Sequence, residues 1–128
     1  MRMQKQMSRY ELKHFSYEEF DSPDDIGSGD LMDDDFLQML DVARQIADIP
    51  FKINPGYRTK KHNQKVGGKS ESSHLIGKAA DIAYTDSRQR WIIITALQDA
   101  GFNRLGIAKT FVHTDCDETK SPDVIWTY

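Results

Sequence analysis

Two short segments constrain this chain most, residues 72–81 and residues 111–115. They carry two histidines and a carboxylate that together form the ligand set of a metal site, His74, Asp81 and His113. A zinc ion with three protein ligands keeps a fourth position open for water, which favours hydrolysis over a purely structural role. The sequence therefore predicts a fold that brings these three side chains together around one Zn²⁺ ion.

The spacing within the first segment requires a bend. His74 and Asp81 are too far apart to share a point on one straight helix or strand, but a turn at Gly77 would bring them together. The small Ala79 and Ala80 would let the backbones approach closely. Each residue also has an ordinary alternative, such as a hydrogen-bonded histidine, a tight glycine turn or an aspartate that only caps or pairs. The three residues together favour the metal site.

The second segment alternates like a strand. Phe111, His113 and Asp115 then share one face, and Cys116 lies on the other, away from any metal. Asp115 is thereby placed beside His113.

The remaining pattern predicts a small α+β domain, with helices flanking a largely antiparallel sheet. We expect residues 1–128 to form one domain, with residues 1–9 flexible. The predicted elements are a helix over 33–48, a strand over 51–54, a short helix from Thr59 to Val66, a strand over 78–84, a helix from Asp86 or Ser87 to Gly101, and a hairpin of 104–107 with 111–116. Each of the two longer predicted helices has an apolar face that is expected to pack on the core. Ile46 belongs to the first of these faces and Trp91 to the second. Trp126 is expected to pack near the chain end.

Composition excludes several classes of protein. A net charge of −3 gives no electrostatic basis for binding nucleic acid. No run of about 18 apolar residues predicts membrane insertion, and Met1–Met7 lacks the apolar core of a signal peptide. Cys116 is the single cysteine, which fits synthesis in the cytoplasm. We expect a monomer.

The residues around the predicted ligands resemble the signature of the zinc D-Ala-D-Ala carboxypeptidase family. The matching positions are Ser72, His74, Gly77, Ala79 and Asp81, followed by residues 111–115. This family includes phage endolysins that cut L-Ala-D-Glu bonds and the D,D-dipeptidases of vancomycin resistance, and its fold is similar to that of the hedgehog signalling domain. The resemblance covers residues 15–126 and is nearest to the short phage and prophage branch. It implies a hedgehog/DD-peptidase-like fold and one zinc ion held by the three predicted ligands.

The resemblance also implies roles around the metal. Arg58, in a Gly-Tyr-Arg segment, would face the zinc and stabilise the transition state, and Ser72 would hydrogen-bond substrate. The sequence departs from the family at Thr110, where better-studied members carry an acidic general base. Asp115 is the best substitute, although it could instead hold His113 as an outer partner.

Two weaker candidates remain near the predicted site. Glu71 precedes the first ligand and is a second possible base, and His62 could line the cleft.

The leading hypothesis is a zinc peptidase that cuts peptidoglycan stem peptides or cross-links, of D-Ala-D-Ala or L-Ala-D-Glu type. We expect a phage or prophage protein that is made without a signal peptide. It would reach the cell wall after holin-type release or as a virion component. The alternative is a catalytically inactive, zinc-stabilised domain used for binding or virion assembly, and the missing acid at position 110 supports it.

Overall fold

The computed structural model describes residues 11–54 and 56–128, so the predicted flexible end at residues 1–9 lies outside the described residues. Within that part of the chain, three α-helices and a five-stranded mixed sheet confirm the predicted α+β class. The helices are α1 (Asp34–Ala47), α2 (Lys60–Lys65) and α3 (Ser87–Asp99), and the strands are β1 (Lys52–Ile53), β2 (Ala79–Ala83), β3 (Arg104–Ile107), β4 (Phe111–Asp115) and β5 (Val124–Thr127).

Each helix begins at a side chain that caps it. The Asp33 carboxylate accepts a hydrogen bond from the Phe36 amide (3.0 Å), which satisfies a donor that the first turn leaves free. Thr59 and Asp86, both predicted starts, cap α2 and α3 in the same way. Local polar side chains therefore fix where the helices begin.

The strand order in the sheet is β1-β2-β4-β3-β5. Three of the four pairings are antiparallel, as predicted, and β3 and β4 form the expected hairpin. The fourth pairing, between β3 and β5, is parallel. This last strand was not foreseen, and it carries Trp126 into the sheet.

The two faces of the sheet differ in character. Ile82, Leu105 and Val112 belong to the buried apolar cluster, together with Phe36, Leu37 and Leu40 of α1 and Ile93 and Leu97 of α3. On the opposite face, the strand register places four residues in one row across β2, β4, β3 and β5: Asp81, His113, Gly106 and Trp126. Because side chains alternate along a strand, the core and this row occupy separate faces.

Two predicted core positions are wrong. Ile46 is 45% exposed and Trp91 is 66% exposed, whereas Ile93 and Leu97 supply the buried face of α3. Three consecutive isoleucines, residues 92–94, leave the helical stripe ambiguous, and packing selects the middle one. None of the described helices is both long and apolar enough to span a bilayer.

Candidate metal centre

The three predicted ligands converge on one point. Asp81 and His113 lie opposite each other on β2 and β4, and His113 Nδ1 is 2.8 Å from Asp81 Oδ1. His74 Nε2 approaches the same carboxylate oxygen at 3.4 Å. One ligand atom from each of the three buried residues lies within 4.8 Å of the others. This arrangement is compact enough for all three to contact a single ion.

The predicted turn at Gly77 is present and explains how His74 reaches Asp81. A 3-10 turn, Ser73–Ile76, ends at Gly77, whose φ of 71° is in the left-handed region that favours glycine. A Cβ at this position would also lie only 2.5 Å from the Leu31 carbonyl oxygen. Strand β2 then begins at Ala79, two residues before the carboxylate ligand.

The outer nitrogen of each histidine is engaged, which orients the ring. His74 Nδ1 contacts the Gly56 carbonyl oxygen at 2.7 Å, and a carbonyl can only accept, so this nitrogen donates. His113 Nε2 lies 2.7 Å from Asp115 Oδ2 and likewise donates, because a carboxylate oxygen accepts. The inner nitrogens face Asp81, and His113 Nδ1 hydrogen-bonds its carboxylate here. With the outer nitrogen keeping its proton, loss of the inner proton would free a lone pair on the inner nitrogen for a metal ion.

Burial and hydrogen bonding compete at the carboxylates. Desolvation alone would raise the pKa of Asp81, but its hydrogen bonds with His113 and His74 outweigh this and lower that pKa. The pKa of Asp115 is also lowered, because its bonds with His113 and Arg104 outweigh its burial. Both groups are therefore carboxylates at neutral pH.

The centre lies in an open cleft of about 590 Å³. Its lining includes Arg58, Ser72, Trp126 and Tyr128. A cleft of this size is large enough to admit part of a peptide.

The family model described as Peptidase M15 matches residues 13–117, which is more than half of the chain. The chain belongs to the peptidase M15 family. A search of curated proteins returned no match. M15 peptidases are metal-dependent hydrolases, and the match spans all three converging residues. Two imidazoles and one carboxylate are a donor set that suits a zinc ion with an open position, so the residues of this M15 chain fit that metal.

Arg58 is half-buried in the cleft wall. Its backbone amide donates to the His74 carbonyl (3.1 Å), and its Nη1 donates to Asn63 Oδ1 (2.8 Å). Burial lowers its pKa, partly offset by attraction to Asp81. Nε is buried without a hydrogen-bond partner among the described residues. A buried donor without a partner is costly and uncommon in folded proteins.

Asp115 is 1% exposed, and both of its oxygens are engaged. Oδ2 contacts His113, while Oδ1 accepts from Arg104 Nε at 2.6 Å and from the Asp117 amide at 3.2 Å. This geometry corresponds to the second role weighed from the sequence, that of an outer partner holding His113.

The other candidates occupy different places. The Ser72 hydroxyl accepts from the His74 amide (3.3 Å), and Glu71 is exposed at the cleft. Thr110 is exposed in the turn after β3 and is not part of the cleft lining. His62 does not line this cleft: it borders a separate depression with Asp24, because the side of α2 that faces inward carries Asn63.

Cys116 does turn away from the ligands, as the strand alternation predicted. Its Sγ lies 4.0 Å from Met39 Sδ, and burial raises the pKa of the thiol to about 11. It is therefore a neutral thiol near neutral pH and offers no thiolate to a metal.

Two contributors were missed from the sequence. Arg104 binds Asp115, and Trp126 lies against His113 with ring centroids 5.5 Å apart. Arg104 and Asp115 lie on the two strands of the predicted hairpin, but the sequence does not give the register that brings them together.

Asp117 anchors the loop before His74, because its Oδ2 accepts from the buried Ser73 hydroxyl at 2.7 Å. Burial alone would raise the pKa of Asp117, but hydrogen bonds with Thr119 and Ser73 lower it to about 2. Because the pKa is lower in the folded state, the carboxylate stabilises the fold at pH values above its ordinary pKa near 4. This stability is lost as the pH falls towards 2. We expect Asp117→Asn to lower the free energy of unfolding by about 2 kcal/mol at pH 6.

The measurement is urea unfolding of metal-free wild type and Asp117→Asn between pH 6 and pH 2. The difference between them should shrink towards zero at the acid end. A difference that stays constant with pH would contradict this assignment.

Proposed function

We propose that this protein is a zinc peptidase that hydrolyses a peptide bond in peptidoglycan stem peptides or cross-links, of D-Ala-D-Ala or L-Ala-D-Glu type. The observation that carries the proposal is the approach of His74 Nε2 and His113 Nδ1 to one oxygen of Asp81, in a cleft that Arg58 also lines. Membership of the M15 family supports a metallopeptidase.

In this proposal His74, Asp81 and His113 hold the zinc ion. When bound, zinc supplies a Lewis acid that activates water and polarises the scissile carbonyl. The hydrogen bond from His74 to the Gly56 carbonyl keeps that ring from rotating, so its donor atom is preorganised. Arg58 supplies the positive charge for the developing oxyanion or for a substrate carboxylate.

Proton transfer requires a further group. We assign Asp115 to positioning His113, because both of its oxygens are engaged inside the sheet. Three carboxylates line the cleft, Asp81, Asp115 and Glu71, and Glu71 is the exposed one. The proposal therefore gives proton transfer to Glu71 and substrate binding to Ser72.

The proposed substrates carry free carboxylates, which match the charge of Arg58. The proposal includes a phage or prophage origin and action on the cell wall, after holin-type release or as part of a virion.

One observation favours a second candidate function, a zinc-stabilised domain for binding or virion assembly without turnover. Thr110 occupies the position of the family's acid, and Asp115 is held by Arg104 and His113. A site with this metal centre but without an effective base would bind zinc and cut nothing.

One assay separates the two candidates. Purified muropeptides are incubated with zinc-loaded wild type, His74→Ala and Glu71→Gln, and the products are resolved by mass spectrometry. For the peptidase, wild type releases products, His74→Ala releases none, and Glu71→Gln retains zinc but loses about 10²- to 10⁴-fold in rate. Tight zinc binding with no product from any muropeptide would refute the peptidase and favour the binding domain.

A further inference from the structure

We propose that Arg104 is a positioning residue of the metal centre, which fixes Asp115 and through it the orientation of His113. This inference rests on the proposed zinc site but not on any particular substrate. Arg104 itself contacts neither Asp81 nor His74 in the described hydrogen bonds, so its effect is indirect.

The contacts form a short chain from Arg104 to the ligand. Arg104 Nε donates to Asp115 Oδ1 at 2.6 Å, and Asp115 Oδ2 contacts His113 Nε2 at 2.7 Å. The His113 ring then presents Nδ1 to Asp81 at 2.8 Å. Asp115 is 1% exposed and Arg104 is 9% exposed, so water competes little for these bonds.

Trp126 connects the two ends of this chain. The Arg104 guanidinium lies over the indole at 5.0 Å, and the same indole lies 5.5 Å from the His113 ring. Gly106 makes this possible, because a Cβ there would lie 2.6 Å from Trp126 Nε1. Arg104, Asp115, His113 and Trp126 thus form a closed ring of contacts on one face of the sheet.

The arrangement uses properties that only arginine has. Nε binds Asp115, Nη1 donates to the Ser121 carbonyl oxygen, and the planar face covers Trp126. A lysine ammonium keeps the charge but cannot make this fork and stack at once. Arg104 therefore orients the Asp115 carboxylate and also stabilises its negative charge.

A purely structural role of the Arg104–Asp115 pair would affect the stability of the fold but not its affinity for zinc. A buried ion pair contributes little net stability to a fold compared with apolar residues of similar volume, because desolvation offsets the attraction. Here the pair instead ends on a predicted metal ligand. Outer partners of metal ligands typically change metal affinity by about 10- to 100-fold when they are replaced.

The test measures zinc affinity by competition with a chromophoric chelator, alongside the melting temperature of each metal-free variant. The variants are Arg104→Gln, Arg104→Lys, Asp115→Asn and the double variant Arg104→Gln with Asp115→Asn. Asn103→Ala is the matched control, because Asn103 makes a neighbouring hydrogen bond to Asp123 at 3.2 Å without touching Asp115.

We expect Arg104→Gln to bind zinc about 10- to 100-fold more weakly, Arg104→Lys to lose less, and Asn103→Ala to match wild type. Since Arg104 acts through Asp115, the double variant should lose no more than Asp115→Asn alone. Unchanged affinity in Arg104→Gln, an equal loss in Asn103→Ala, or additive losses in the double variant would overturn the inference. If Arg104→Gln fails to fold, Arg104→Lys decides the matter by the same comparison.

The readout separates this inference from the proposed peptidase. If muropeptides remain uncut while zinc affinities follow the expected pattern, the positioning role stands and the peptidase fails. If wild type cuts muropeptides and Arg104→Gln binds zinc as tightly as wild type, the positioning role alone fails.

Discussion

Asp81→Asn is expected to abolish zinc binding and peptidase activity while leaving the fold intact. Both histidines approach the same Asp81 oxygen, so this carboxylate is the shared element of the centre. Asparagine has nearly the same shape but no charge, and a neutral amide is a poor zinc ligand. Activity should fall by roughly 10³-fold or more, because a catalytic metal supplies several kcal/mol of transition-state stabilisation.

Unfolding with and without zinc checks this prediction. Zinc at about 100 times its dissociation constant should stabilise wild type by about 2.7 kcal/mol, through mass action on the folded state. Asp81→Asn should show no such stabilisation, whereas Asp99→Asn, an exposed change on α3, should behave as wild type. A zinc-dependent rise in the melting temperature of Asp81→Asn would contradict the assignment of Asp81 as a ligand.

The features that the sequence predicted well are local ones. Thr59 and Asp86 begin helices because each side chain accepts a hydrogen bond from the amide three residues further along. The Gly77 turn is likewise indicated by a glycine that can adopt a left-handed φ, and it brings His74 to Asp81. Strand alternation over 111–116 then placed His113 and Asp115 on one face. The convergence of His74, Asp81 and His113 was therefore predictable from short-range geometry combined with family resemblance.

The features that were missed depend on which strands pair and in which register. Strand β5 pairs in parallel with β3, and the register sets Trp126 beside Gly106. Neither the pairing nor the register is encoded in a local pattern, since a strand of four residues fits several neighbours. The contact between Arg104 and Asp115 crosses the predicted hairpin, but it depends on a register, with Leu105 opposite Thr114, that the sequence did not predict. The roles of side chains that contact the predicted ligands from outside can be identified only from the tertiary fold.

Arg58→Lys is expected to separate catalysis from metal binding. Arg58 is tied to His74 only through its backbone amide, and its side chain is held by Asn63. Lysine keeps the positive charge but loses the planar donors that suit an oxyanion or a carboxylate. Loss of one preorganised donor to a transition state typically costs about 10²- to 10³-fold in kcat. Zinc affinity should not change, because the ligands and their outer partners are untouched.

The measurement compares kcat and zinc affinity of Arg58→Lys with those of Arg88→Lys, an exposed arginine on α3 that serves as the matched control. The control should retain both properties. Full activity in Arg58→Lys would remove Arg58 from the mechanism. The buried Nε without a hydrogen-bond partner would then destabilise the fold without contributing to catalysis. A joint loss of zinc and activity would instead show that Arg58 supports the loop around His74. The distinction matters because a metal centre alone can bind a ligand, whereas a positive group beside it is what stabilises the charge that forms during hydrolysis.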